Sequence, residues 1–364
     1  MNAFLSLGTK LSNSLMEVTV MEKSRRGPSA AITGILFALS WGVVASGGDA
    51  GRNPAVPVAV RVAAITSDKA AWTASPADGS RDGAKILLIE SPRTRFTESD
   101  LYLVATASGA SRPLMQSHSS IGPAAFSPDG NEVFFFEIKD GETAKLIKIS
   151  LAGTHRSVVA ELPEGTEVRG MSWSPDGTKL AFDYTTPPSA SGQIKSALSV
   201  LENGGVRDVY SYVNDVSSAR VASGEPQQIV IPSWLSDKEV VFNALAPIGP
   251  PPRYFVMSVN IAGQDGALRQ LWELPPYAAC AHVSPDGKWL IYHQRMNVFL
   301  RSLSDGRIIK VGEGIIGGGS PWLGQLPNPS ILVSREVELY ERPADAPRGV
   351  AYRAPFVITM NWGG

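Results

Sequence analysis

The sequence contains one four-residue pattern three times: Ser127-Pro128-Asp129-Gly130, Ser174-Pro175-Asp176-Gly177 and Ser284-Pro285-Asp286-Gly287. Each copy follows an apolar anchor (Phe126, Trp173, Val283). A short spacer then leads into an apolar run ending at Phe135, Phe182 or Tyr292. Proline presets φ for the second position of a tight turn, aspartate hydrogen-bonds nearby backbone, and glycine takes the left-handed conformation other residues avoid. The tetrad therefore joins two antiparallel strands. One such tetrad is a common turn, but three with matching flanks are a repeat, and a repeat constrains the whole architecture.

Degenerate copies fill the gaps. Trp72 leads through Ser75-Pro76-Ala77-Asp78-Gly79 into the strand-like run 85–90. Trp234 leads into 239–242 without proline or glycine. Trp322 leads through 327–330 into 331–333. The count is six. A second strand pair follows most of these hairpins, for example 101–104 with 108–114 and 298–301 with 305–310, so each unit holds four strands. Ser127 and Ser174 stand 47 residues apart, near the period of about 40–45 for four-stranded blades. From Ser174 to Ser284 is 110 residues, and two such repeats leave 16 over, which is assigned to an insertion in the third unit. A single four-stranded sheet cannot bury both faces, whereas radial stacking does so and leaves short edges. The expectation is all-β: a six-bladed β-propeller of four-stranded antiparallel blades. Either 56–65 or 354–360 should close the last blade. The first is favoured because it ties the two ends together.

The Ser-Pro-Asp-Gly repeat resembles the WD-like repeat of TolB propellers, which also occurs in prolyl-oligopeptidase propellers. The resemblance covers about residues 56–353. It implies the fold and says little about function. TolB carries an additional domain ahead of its blades and the peptidases carry a hydrolase domain after theirs. The sequence is expected to have neither, which sets aside a peptidase reading. In this family the tetrad turns share one face, and the longer loops, here 91–100, 184–212 and 244–253, share the other. Loops on a rigid scaffold are where binding usually resides.

Lys23, Arg25 and Arg26 precede an uncharged apolar run over 30–46, and small residues follow at Ala45, Ser46, Gly47 and Gly48. Basic, apolar and small segments in that order read as a secretory signal. An uncleaved membrane anchor is the alternative. Residues 1–46 are thus expected to be an extension with a signal, and 47–364 the propeller of a periplasmic or secreted protein.

The formal net charge of -1 gives no reason to expect nucleic acid, which needs a basic stripe. Contact with a membrane would come only through a retained N-terminal segment. The four histidines (His118, His155, His282, His293) show no zinc spacing, and Cys280 is the single cysteine. No metal or other cofactor is expected, and no catalytic set. Gly318-Gly-Ser-Pro-Trp322 lacks the second glycine of a nucleophile elbow. The candidate binding residues are Arg169 and His282 toward the channel, Arg253 in the proline-rich 250–253 loop, and Tyr210 and Tyr212 in the insertion. The insertion reads as a lid, a partner-binding arm or a tolerated surface loop. The turn aspartates read as turn-stabilising, and Trp72, Trp173, Trp234 and Trp322 as packing anchors. The leading function is a scaffold binding a protein or peptide partner in the cell envelope, on the loop-bearing face or in the central channel. The alternative is an enzyme acting on a polysaccharide or small molecule, with a channel-bound metal possible.

Overall fold

Each tetrad is followed by an apolar strand that pairs back on the strand before it. Two further strands extend the sheet outward. In the computed structural model there are six such four-stranded sheets. The structure describes residues 58–64, 72–92, 98–117, 119–139, 141–215, 228–245, 254–262, 267–316, 320–324, 329–337 and 352–361. All regular structure among them is β.

The first strand, β1 (Val58–Ala64), belongs to the last sheet. Blade 1 is β2 (Trp72–Gly79), β3 (Lys85–Pro92), β4 (Asp100–Ala105) and β5 (Ser111–Gln116). Blade 2 is β6 (Ser120–Phe126), β7 (Glu132–Ile138), β8 (Thr143–Ser150) and β9 (Arg156–Glu164). Blade 3 is β10 (Met171–Trp173), β11 (Lys179–Thr185), β12 (Gln193–Glu202) and β13 (Gly205–Asp215). Blade 4 is β14 (Gln228–Ser236), β15 (Glu239–Leu245), β16 (Tyr254–Asn260) and β17 (Leu268–Glu273). Blade 5 is β18 (Ala278–Val283), β19 (Trp289–Gln294), β20 (Asn297–Ser302) and β21 (Ile308–Glu313). Blade 6 is β22 (Trp322–Leu323), β23 (Ser330–Val337) and β24 (Tyr352–Asn361), completed by β1. Ring closure uses both candidate segments: β24 is the third strand of blade 6, and β1 pairs antiparallel with it as the fourth.

One turn geometry recurs in four blades. In each, a serine N–H donates to the carbonyl of the residue five positions on, and its hydroxyl accepts that residue's N–H. The pairs are Ser80–Lys85, Ser127–Glu132, Ser174–Lys179 and Ser284–Trp289. The hydroxyl donates to the aspartate two positions on: Asp82, Asp129, Asp176 or Asp286. The closing glycines Gly83, Gly130, Gly177 and Gly287 sit at φ of +69° to +74°, where a side chain is strained. The serine hydrogen bond, first among the causes, pulls Asp82, Asp129 and Asp176 below the usual carboxylate range.

Two readings of the sequence change. The turn of blade 1 is Ser80-Arg81-Asp82-Gly83, whereas Ser75 to Gly79 lie inside β2. Gly79, not Trp72, therefore takes the anchor position. A Cβ there would stand 2.5 Å from the Trp322 carbonyl of blade 6, so a larger anchor has no room. Second, 184–212 is not a loop. Most of it is the β12–β13 hairpin, whose strands of 10 and 11 residues pair along their length. The extra length of the third unit was spent on longer strands and on 216–227, which lies outside the described residues.

The core lies between blades. Phe134, Phe136, Leu146, Phe182 and Leu180 fill the seam of blades 2 and 3. Trp234, Phe242, Leu198 and Val200 fill that of blades 3 and 4. Apolar burial between neighbouring sheets is what a single blade cannot provide alone.

Candidate functional site

The last residues of each first strand, with the turns that follow, surround a cavity of about 280 Å³ at the tetrad end of the channel. All six blades contribute. Trp173, Trp234, Trp322 and Phe126 supply aromatic wall. Ser172, Ser233, His282 and Ser320 supply polar groups, and Asp78 and Arg81 supply charge.

Which residues face inward depends on bulges. The first strands of blades 2, 4 and 5 slip register between Ile121 and Ala124, Val230 and Ser233, and Ala279 and His282. Ile231 and Cys280 carry the bulges with φ of 59° and 55°. A bulge leaves backbone groups without ladder partners, and buried ones must find others. Asp183 of blade 3 accepts the Ile231 N–H at 3.0 Å. Asn243 of blade 4 donates to the Ala281 and Ile231 carbonyls and accepts the Ala281 N–H at 2.9 Å. The Ser233 hydroxyl accepts the Val283 N–H at 3.2 Å.

Two tryptophans tie neighbouring inner strands together. The Trp234 indole donates to the Ser172 carbonyl at 2.9 Å, and the Trp322 indole to the Val283 carbonyl at 2.8 Å. Trp173 behaves differently. It stacks edge-on against Phe134 with ring centroids 5.0 Å apart, and its indole N–H has no hydrogen-bond partner among the described residues. The Ser172 hydroxyl beside it also has none.

Asp78 is the buried acid of the cavity. Burial pushes its carboxyl up to about 7, against the pull of the Phe126 and Gly79 N–H groups, Ser320 and Arg81. The Phe126 N–H donates to it at 2.9 Å, linking blades 1 and 2. Arg81 reaches from the blade 1 turn to the Ser174 carbonyl of blade 3 at 3.1 Å.

Of the residues singled out from sequence, His282 lines this cavity and is 2% exposed. Arg169 precedes β10 and is not among the cavity residues. Its guanidinium pairs with Glu167 at 2.6 Å, and its N–H donates to Asp183 at 3.2 Å. Tyr210 and Tyr212 belong to β13 and pack toward blade 4; Tyr210 stacks on Phe242 at 5.8 Å. Arg253, its loop and His118 lie outside the described residues. Burial pushes the Cys280 thiol up to about 12. Sequence reasoning did not find Asp78, Arg81, Ser172 or Ser320. The Ser-x-Asp-Gly spacing at 80–83 was the signal for Arg81.

No family model matches the chain. The uncharacterized peptidase YuxL of Bacillus subtilis (strain 168) is 22% identical over 216 residues, 59% of this chain and 28% of that protein. An oligogalacturonate lyase in complex with manganese superposes with a TM-score of 0.52 at 14% identity, covering 90% of this chain and 96% of the other. TolB from Acinetobacter baumannii gives 0.49 at 14% identity, covering 81% of this chain and 65% of that one. A putative TolB from Agrobacterium tumefaciens gives 0.48 at 15%, covering 68% and 83%. Manganese does not fit the residues described here. Nowhere among them do three His, Cys, Asp or Glu side chains stand together, and the cavity offers one aspartate and one histidine among serines. At these identities the likeness is one of fold: the chain is a six-bladed β-propeller with TolB propellers among its structural neighbours.

Proposed function

We propose that this is an exported propeller that binds a protein or peptide partner in the cell envelope through the tetrad end of its channel. One observation carries the reading: all six blades converge on a cavity with aromatic walls and a few placed polar groups. That combination is the usual form of a binding site, and the rigid ring holds it without induced order. Export rests on the basic, apolar and small segments over 23–48.

Ser172→Leu tests the site. It adds bulk to the wall and removes no hydrogen bond made by the hydroxyl. An envelope protein captured by the wild type should be released by this variant while its melting transition stays cooperative. Equal capture by both would remove the cavity from the reading.

The second reading, an enzyme acting on a polysaccharide or small molecule, rests on Asp78. A carboxyl titrating at about 7 in the same cavity as His282 is suited to general acid–base chemistry. Turnover of an oligosaccharide panel, abolished by Asp78→Asn, would favour it over the binding reading.

A further inference from the structure

We infer that the cavity recognises an oxyanion, with Arg81 as the residue that selects it, and that the oxyanion is the C-terminal carboxylate of a peptide. The choice of a peptide rests on the binding reading above; the oxyanion does not.

Arg81 stands where the three sister turns have Pro128, Pro175 and Pro285. The turn does not need an arginine. Its hydrogen bonds and its glycine φ of +71° match those of the proline-bearing copies. What arginine adds is a side chain that leaves its own blade and crosses the rim to blade 3. There it gives one hydrogen bond, to the Ser174 carbonyl. A guanidinium has five N–H donors in a planar fork that matches a carboxylate. No carboxylate lies within ion-pair distance of Arg81 among the described residues, so most of that fork is unspent.

The wall beneath adds donors of its own. The Ser172 hydroxyl and the Trp173 indole N–H are buried without a partner among the described residues. A buried donor left unpaired costs free energy that an acceptor-bearing ligand would recover. The acceptor already present, Asp78, is engaged by the Phe126 N–H and held toward its neutral form by burial. The Arg81 guanidinium and the Trp173 indole N–H can only donate, and the Ser172 hydroxyl can donate as well as accept, so the set favours an acceptor-rich, anionic ligand. About 280 Å³ lies just under the range of about 300–1,000 Å³ typical of ligand pockets, so a chain end fits better than a folded loop. The tryptophans would flank the last side chain.

The test uses the full chain, its Arg81→Gln variant and its Arg81→Pro variant. The second restores the sister-turn sequence and serves as the folding control. The probes are a random hexapeptide library with free C-termini, the same library C-amidated, and acetate and inorganic phosphate at millimolar concentration. The expected result is retention of free-carboxylate peptides at least 10-fold above amidated ones, lost in both variants, with acetate competing. Equal retention of free and amidated peptides would overturn the carboxylate inference while leaving peptide binding standing. Shifts in melting temperature with acetate or phosphate that vanish in both variants, with no peptide retained, would support the oxyanion site and overturn the peptide reading. Retention or shifts that survive both variants would overturn the role of Arg81.

Discussion

The seam between blades 2 and 3 and the seam between blades 4 and 5 do the same job by opposite chemistry. At the first, Phe136 is fully buried and packs on Phe182 with ring centroids 5.2 Å apart. At the second, the fifth residue of the corresponding strand is Asn243, also fully buried, and it holds Ala281 and Ile231 by three hydrogen bonds. The difference lies in the next blade's inner strand. Blade 5 enters through a bulge at Cys280 and Ala281 that leaves a donor and an acceptor facing the seam. Blade 4 does the same at Ile231, and blade 3 answers with Asp183. Blade 2 bulges at Gly122 and Pro123, where proline offers no N–H, and blade 1 has Ile89 at the facing position. Polar residues appear in the core of this propeller where a neighbour's backbone requires them.

The sharpest way to break that comparison is to make the two seams alike. Asn243→Leu keeps the number of side-chain heavy atoms and leaves the Ala281 N–H and two carbonyls without their Asn243 partner. At about 1–3 kcal/mol for each stranded buried group, a loss of about 3 kcal/mol or more is expected. Phe136→Leu, which trims an apolar seam and strands nothing, should lose about 1–2 kcal/mol. Urea midpoints of the two variants decide. If Asn243→Leu is the milder, the polar seam is not what holds blades 4 and 5 together.

Acidity offers a second handle, because Asp78 joins blades 1 and 2 with a carboxyl instead of an amide. Burial pushes it up to about 7. In the folded chain it therefore keeps a proton that the unfolded chain releases near the ordinary carboxylate value. A group raised in this way stabilises the fold fully at low pH, and the benefit disappears as pH rises through about 7. Between pH 5.5 and 8.5 this one group should remove about 2 kcal/mol of stability, at about 1.4 kcal/mol per pH unit below its folded value. Asp78→Asn can still accept from the Phe126 N–H and carries no charge, so its stability should vary less over that interval. Melting curves at the two pH values test this. A variant as pH-dependent as the wild type would mean that another group, Asp183 first among them, carries the effect.

Much of this arrangement was legible in the sequence, and the part that was not has a common cause. Three tetrads with matching anchors announced the blades, and three degenerate copies brought their number to six. Pro76 and Gly79 drew the blade 1 turn five residues too early, because Arg81 hides the true tetrad where proline was expected. Pro187, Pro188, Gly192, Gly204 and Gly205 made 184–212 look like a loop. Only 186–192 and 203–204 lie outside the strands; Tyr184 and Thr185 end β11, and the rest pairs as β12 with β13. Asp183 and His293 could have been found by aligning second strands on the tetrad serine, and Asn243 by its place in 239–245, since each is a polar fifth residue in an apolar run. The cavity could not. Its lining follows from register slips in the inner strands, and a one-residue slip exchanges the two faces of a strand.

The smallest expected effect extends the comparison from the seams to the rim. Three turns carry proline at the position where blade 1 carries Arg81, with the same hydrogen bonds around it. No hydrogen bond from the Arg81 backbone N–H is needed by that geometry, so proline removes no backbone partner. Arg81→Pro should then stabilise the chain by about 0.4–1 kcal/mol, by narrowing the unfolded ensemble, less whatever the guanidinium bond to Ser174 contributes. A melting temperature equal to or slightly above wild type would show that arginine is not there for stability, just as Asn243 is there for a neighbour's backbone and not for its own strand. A clear loss of stability would reverse that conclusion. It would make Arg81 a structural tie between blades 1 and 3, equivalent at the rim to what Asn243 is in the seam.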